Sequence, residues 1–378
     1  MEEAMKKEIA LTIGELTAPI PVVQGGMGVG ISLSSLAGNV AKNGGVGVIS
    51  SAQIGFRDPE WNLNPLETNL RVLKEEIQKA RKIASGHGII AVNIMVATRF
   101  YEKYVKAAVE AGVDMIISGA GLPVDLPRFV KDSKTKIAPI VSSLKSLDVI
   151  TRYWSRKYNK TPDMVVIEGP LAGGHLGFKK EELADIDALC YDEEVRRIIS
   201  RVRENEQDNK IPVVVAGGIY EAKDALPYFE MGADGVQVAT RFVTTYECDA
   251  DIRYKEAYIN SKKEDIEIVK SPVGMPGRAI HNAFLDKVAA KGSAAENSAQ
   301  ETDAVSNVSI SGSSAWKCHQ CLAKCNPAEI PYCITDALVN AAKGNTQDGL
   351  LFCGANAWKA TKLEHVSDIM KEFEEELA

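Results

Sequence analysis

Short runs of Val, Ile and Ala recur along the first 240 residues, separated by polar stretches whose apolar positions fall three and four apart. Eight runs read as strands: Pro21–Gly26, Gly45–Ser51, Ile89–Val96, Met115–Gly119, Ile137–Ser142, Met164–Gly169, Val213–Gly217 and Gly235–Ala239. Most are near-continuously apolar, as strands covered on both faces are. Between them, Leu70–Ile83, Tyr101–Ala111, Leu144–Ser155, Glu193–Arg203 and Tyr220–Met231 carry helical spacing. Regular β-then-α alternation predicts a parallel sheet, and eight units favour a closed (β/α)8 barrel. An open doubly wound sheet would place its glycine fingerprint after the first strand, whereas here the glycine-framed turns follow strands six to eight.

The pattern changes after Phe242. Asp249–Lys262 reads as a polar helix and Gly274-Met275-Pro276-Gly277-Arg278 as a rigid turn. Residues 289–314, rich in Ala, Ser, Asn and Glu without an apolar period, read as a mobile linker. A cysteine-rich segment, 318–353, follows, then an amphipathic helix over Leu363–Leu377 that would close the ring. The expected division is a barrel of 15–245 plus 360–378, with 246–358 as a C-terminal cysteine-rich insertion.

Composition narrows the function. The 378 residues are 45% hydrophobic, enough for one large core with an appendage. With 44 basic and 51 acidic residues the net charge is −7, which suits a soluble enzyme and argues against nucleic acid as partner. No apolar run approaches the ~20 residues that span a bilayer. Met1–Lys7 has charges of both signs and no following apolar stretch with a cleavage site, so a cytoplasmic protein without a signal peptide is expected. A small-molecule substrate is expected, and a homodimer is compatible with everything in the chain.

Candidate chemistry lies at the strand ends. Gly217-Gly218 and the turn Gln237-Val238-Ala239-Thr240 follow consecutive strands, where backbone N–H groups can cradle one phosphate. Gly25-Gly26-Met27 follows the first strand and would bring backbone against a flat cofactor ring. Asn93, inside an apolar run, needs partners for its amide, and such a ring supplies them. His175 sits between Gly174 and Gly177 at the end of strand six, on what would be the active face of a barrel. His87, His281, His319 and His365 lack such a frame.

These motifs together resemble the flavin-dependent nitronate monooxygenase (2-nitropropane dioxygenase) family and its relative, the FMN-dependent enoyl-acyl-carrier-protein reductase II. The resemblance covers about residues 15–285 and includes Glu168-Gly169-x-x-Ala172-Gly173-Gly174-His175-x-Gly177. It implies a TIM barrel binding FMN, with His175 as base or hydrogen-bond donor. Gly25, Gly26, Met27 and Asn93 would meet the ring, Glu168 and Gly173 would touch the cofactor, and Gly217, Gly218 and Gln237 to Thr240 would wrap the phosphate. Two residues depart from the family pattern. Glu168 stands where many relatives have Gln, which implies an extra negative charge beside the cofactor; Leu171 replaces a common acidic residue, so the wall beside His175 is more apolar. The implied activity is oxidation of alkyl nitronates by oxygen to carbonyl compounds and nitrite. The alternative is NAD(P)H-dependent reduction of an enoyl thioester in fatty acid synthesis. A non-catalytic FMN- or phosphate-binding barrel is a third reading, against which His175 argues.

Five of the seven cysteines lie between Cys318 and Cys353. Cys318-x2-Cys321-x3-Cys325 and Cys333 have spacings compatible with an iron–sulfur cluster or a structural zinc, with Cys353 as a fifth thiolate. Reduced thiols packed in a small subdomain are the competing expectation.

Overall fold

The computed structural model describes residues 10–204, 206, 210–290 and 318–378. Eight parallel strands close into a barrel: Val22–Gln24, Val46–Ser50, Ile89–Asn93, Met115–Ser118, Lys136–Val141, Val165–Glu168, Val213–Ala216 and Gly235–Val238. Each pairs with the next in sequence, and the eighth returns to the first through Val236↔Val22 and Val238↔Gln24. All eight expected strands are present, each within a residue or two of one end of its run.

Alternation along the strands explains the two apolar layers. Val23, Val48, Ala91, Ile117, Ala138, Val166 and Val214 fill the barrel interior. Their neighbours Ile49, Val92, Ile116, Ile167 and Val215 face outward and pack on the helices. A hairpin of Leu11–Ile13 and Leu16–Ala18 contributes Leu11, Ile13 and Ala18 to the interior cluster.

The helix Pro65–Ala84 starts on Pro65, whose missing N–H costs nothing in the first turn, and buries Leu73, Ile77, Ala80 and Ala84 at spacings of four, three and four. Leu144–Tyr158 starts on a capping box between Ser143 and Ser146 and stops at Asn159 in the left-handed region. The last helix, Val366–Leu377, presents Val366, Ile369, Met370, Phe373 and Leu377 to Val22, Val40 and Val236, and so covers the seam between the first and eighth strands.

Three elements differ from the sequence expectation. Tyr220–Met231 is not one helix: a 3-10 turn, Ala222–Ala225, gives way to Leu226–Glu230, because Pro227 cannot donate in a continuous ladder. The helix expected over Asp249–Lys262 is Ile252–Ile259, capped by Asp251, and it buries Tyr254, Lys255 and Tyr258. Pro276-Gly277-Arg278 does not end a turn but begins the strand Pro276–Ile280, which pairs with Ile266–Lys270 on one side and Gly174–His175 on the other. The linker expected at 289–314 lies, from residue 291 onward, outside the described residues. No described helix is long and apolar enough to cross a membrane.

Candidate active site

At the C-terminal ends of the strands the barrel opens into a cavity of about 500 Å3. Of the residues expected at a cofactor site, Gly25, Gly26, Met27, Asn93, Glu168, Gly173, His175, Gly217, Gly218, Gln237, Ala239 and Thr240 line it. Val238 does not. It alternates with Gln237, so its side chain is buried outside the barrel with Val22, Leu36 and Phe242.

The glycine turns are tight because there is no room for anything else. A Cβ on Gly26 would lie 2.5 Å from Asn93 Cβ. Gly217 and Gly218 have φ of +104° and +84°, a region that side chains resist, and a Cβ on Gly218 would lie 2.9 Å from Leu171. The first turn is held from below by Gln24, fully buried, whose Nε2 donates to Ser32 Oγ at 2.9 Å and whose Oε1 accepts from Val48 N at 3.0 Å. Ser32 Oγ also accepts from Met27 N at 2.9 Å.

The amides of Asn93 and Gln237 and the carboxyl of Glu168 line the cavity without a protein partner among the described residues. Half-buried polar groups in this state call for a ligand with donors and acceptors. Burial pushes Glu168 up to about 7, so the residue expected to add a negative charge is held largely as the neutral acid below that pH. No Lys, Arg or Asp lines the cavity among the described residues, so an anion there would meet neutral donors, backbone N–H groups among them.

His175 is set by long-range contacts. Its Nε2 lies 2.7 Å from Ser271 Oγ, and its ring meets Phe352 edge-on at 4.9 Å. Burial lowers its pKa to about 4, so the imidazole is neutral near pH 7. Arg278, itself buried, donates from its guanidinium to the Ala172 carbonyl and pairs through its backbone with Gly174. It therefore positions the loop that carries His175.

The chain after residue 350 returns to the mouth. Gly354 N donates to Thr240 Oγ1 at 3.0 Å, and Asn356 Nδ2 donates to the Gly218 carbonyl at 2.6 Å. Arg241, the residue after Thr240, is clamped by Glu364 at 3.1 Å and Glu372 at 2.6 Å. Ser271, Arg278, Phe352 and Asn356 had no signal in the sequence, because each acts through a contact with a residue about a hundred or more positions away or in a separate loop.

Among the described residues no group of three or more His, Cys, Asp or Glu could hold a metal ion. Burial raises the Cys321, Cys325 and Cys333 thiols, the last to about 12. Cys353, buried, and Cys321 both line the cavity. The cysteine segment instead packs as a wall. His319, buried, stacks on Trp61 at 4.1 Å and pairs with Asp336 at 2.8 Å. Leu322 bridges to Thr98, and Ala323 N donates to the Ala97 carbonyl at 3.0 Å.

A family model described as nitronate monooxygenase matches residues 11–376. A Staphylococcus saprophyticus protein named "Probable nitronate monooxygenase" is 26% identical over 294 residues, which cover 73% of this chain and 79% of that protein. A Staphylococcus aureus (strain Newman) protein of the same name is 26% identical over 306 residues, covering 72% and 78%. Among solved structures, FabK from Thermotoga maritima superposes with a TM-score of 0.67 at 24% identity, over 95% of this chain and 94% of that one. Nitroalkane oxidase from Streptomyces ansochromogenes does so with 0.65 at 18% identity, over 95% and 96%. At these identities the structural likeness speaks for the fold.

Proposed function

Because this chain belongs to the nitronate monooxygenase family, we propose that it is an FMN-dependent oxidoreductase that oxidises alkyl nitronates with oxygen to carbonyl compounds and nitrite. The observation that carries this reading is the pairing, in one cavity, of unpartnered amides at Asn93 and Gln237 with a neutral His175.

The residues fit FMN. The positive-φ turn at Gly217-Gly218 and the start of the helix Thr240–Val243 end neighbouring strands, joined at Ala216↔Gln237, and would hold its phosphate by backbone N–H groups. Asn93 and Gln237 would meet its polar edges, and Gly26 admits a flat ring against the backbone. Bound there, FMN supplies the one- and two-electron chemistry that no amino-acid side chain provides.

The protein's own contribution is orientation and proton management. Neutral His175 can donate an N–H to a nitronate oxygen, or take a carbon-bound proton from a nitroalkane. Ser271 occupies Nε2, leaving Nδ1 without a protein partner among the described residues. Phe352 lies against its ring, and Leu171 and Ala172 line the same cavity; such apolar surroundings strengthen a hydrogen bond made beside them.

The test is a steady-state comparison on flavin-loaded protein. Oxygen uptake with nitrite release from propyl-2-nitronate supports the proposal. Turnover confined to NADH and an enoyl thioester would replace it with the reductase reading.

A further inference from the structure

The cavity has two unlike halves. Strands seven and eight, which carry the glycine turns, stand across the closed ring from strands three and four. Met95 and Ala97 follow strand three, and Leu122 follows strand four; all three line the cavity. The cysteine-rich segment is pinned to this side, through the Thr98–Leu322 bridge. Leu322, Ile334 and Leu338, from that segment and the helix Ile334–Ala342, line the same cavity. They belong to one apolar cluster whose other members include Val273 and Phe352. On this half of the mouth Met95, Leu122, Leu322, Ile334 and Leu338 form a largely apolar wall, interrupted by the neutral side chains of Asn93, Thr98, Cys321 and Thr335, and no Lys, Arg or Asp lines it among the described residues.

An apolar chamber of this kind gains nothing from the polar head of a small nitronate. It is suited to hydrocarbon. We propose that Leu322, Ile334 and Leu338 form the wall of a chamber that takes the alkyl chain of the substrate, so that the enzyme prefers nitronates with several methylenes over the shortest ones. The inference rests on the nitronate reading for the reacting group and on the cavity wall for the chain. The cysteine segment then has a function without metal: it supplies the wall.

Two series test this in parallel on FMN-loaded protein: kcat/KM for the nitronates of nitroethane, 1-nitrobutane and 1-nitrohexane, and binding of acetate, butyrate and hexanoate, read from the flavin absorbance. Each methylene buried should raise both by about fourfold, the equivalent of about 0.8 kcal/mol. Leu338→Trp should truncate the gain at the longer chains. Leu338→Ala, a change that leaves more room, should move the optimum to chains longer than in the wild type and keeps the test open if the Trp variant does not fold. A flat series, or the same series in both variants, overturns the proposal. Chain-dependent alkanoate binding without turnover of any nitronate would keep the chamber and sink the nitronate reaction. Nitroethane nitronate turning over as well as the hexyl compound would sink the chamber and keep the reaction.

Discussion

His175 Nε2 lies 2.7 Å from the Ser271 hydroxyl, although 96 positions separate the two residues in the chain. Ser271 is held in turn by its backbone, which donates to the Met275 carbonyl at 3.2 Å. The imidazole is thereby fixed in one orientation at the barrel mouth. His175→Asn is expected to retain FMN and to lose about 10²-fold in turnover, the usual scale of acid–base catalysis. Ser271→Ala removes one neutral hydrogen bond and should cost about five- to tenfold in kcat, with FMN affinity unchanged. Parallel kinetics and flavin titrations check both; near-wild-type turnover of a yellow His175→Asn protein would remove His175 from the chemistry.

Glu168 is expected to make FMN binding pH-dependent. Its carboxyl is neutral below about 7 and charged above, and it lines the cavity that would hold an anionic cofactor. FMN affinity is expected to weaken as pH rises from 6 to 8, and Glu168→Gln should flatten that dependence. Fluorescence titration of FMN across this range reads it directly.

The same burial sets two opposite slopes in the stability of the cofactor-free protein. Glu168 holds its proton to about 7 when folded but to its ordinary 4.5 when unfolded, so its contribution is present below 4.5 and is lost as pH rises through 7. His175, with a folded value of about 4 against an ordinary 6.5, works the other way, and stability falls as pH drops between those values. Glu168→Gln should remove the first slope and His175→Asn the second, each visible as a changed pH dependence of Tm.

Gly218 and Asn356 join the glycine turn to the C-terminal chain. Asn356→Ala is expected to weaken FMN binding about fivefold, the worth of about one hydrogen bond. Gly218→Val should do more, since the φ of +84° and the Leu171 contact both oppose a side chain there. Strain of this sort costs about 1–3 kcal/mol, so Tm falls as well, but FMN affinity should fall further than stability accounts for. Unchanged affinity in a folded Gly218→Val protein would show that the turn does not face the phosphate.

Arg241 supports the same turn from outside the cavity. It is buried, bonds both Glu364 and Glu372, and donates to the Tyr220 carbonyl at 3.3 Å. Removing it takes the cation from Glu364 and Glu372 and cuts the ion-paired link between the last helix and the turn. Arg241→Leu is expected to lower unfolding stability by about 3 kcal/mol, measured by denaturant titration.

The barrel was legible because its signals are local. Apolar runs such as Val213–Ala216 and Gly235–Val238 have few alternatives to a doubly covered strand, and eight of them in alternation leave little choice of topology. The placement of His175, Asn93 and the glycine turns on one cavity followed from their positions at strand ends. The C-terminal part was not legible in the same way. A cysteine spacing carries no information about which distant residues the segment packs on, and the contacts of Leu322 with Thr98 and of His319 with Trp61 show it only in the fold. The proline-flanked turn at Gly274 likewise hid a strand, Pro276–Ile280, whose partner at Gly174–His175 lies about a hundred residues earlier. Val238 shows the limit of a motif read as a block: alternation sends every second residue of a strand away from the site.

Whether the cavity at the barrel mouth couples FMN to nitronate oxidation is read by mixing FMN-loaded protein with propyl-2-nitronate in the absence of oxygen and following the flavin absorbance. The nitronate should bleach the flavin, and the yellow spectrum should return in full with release of nitrite when oxygen is admitted. A flavin that stays oxidised with nitronate, yet bleaches with NADH and recovers on adding an enoyl thioester, would contradict the nitronate reading.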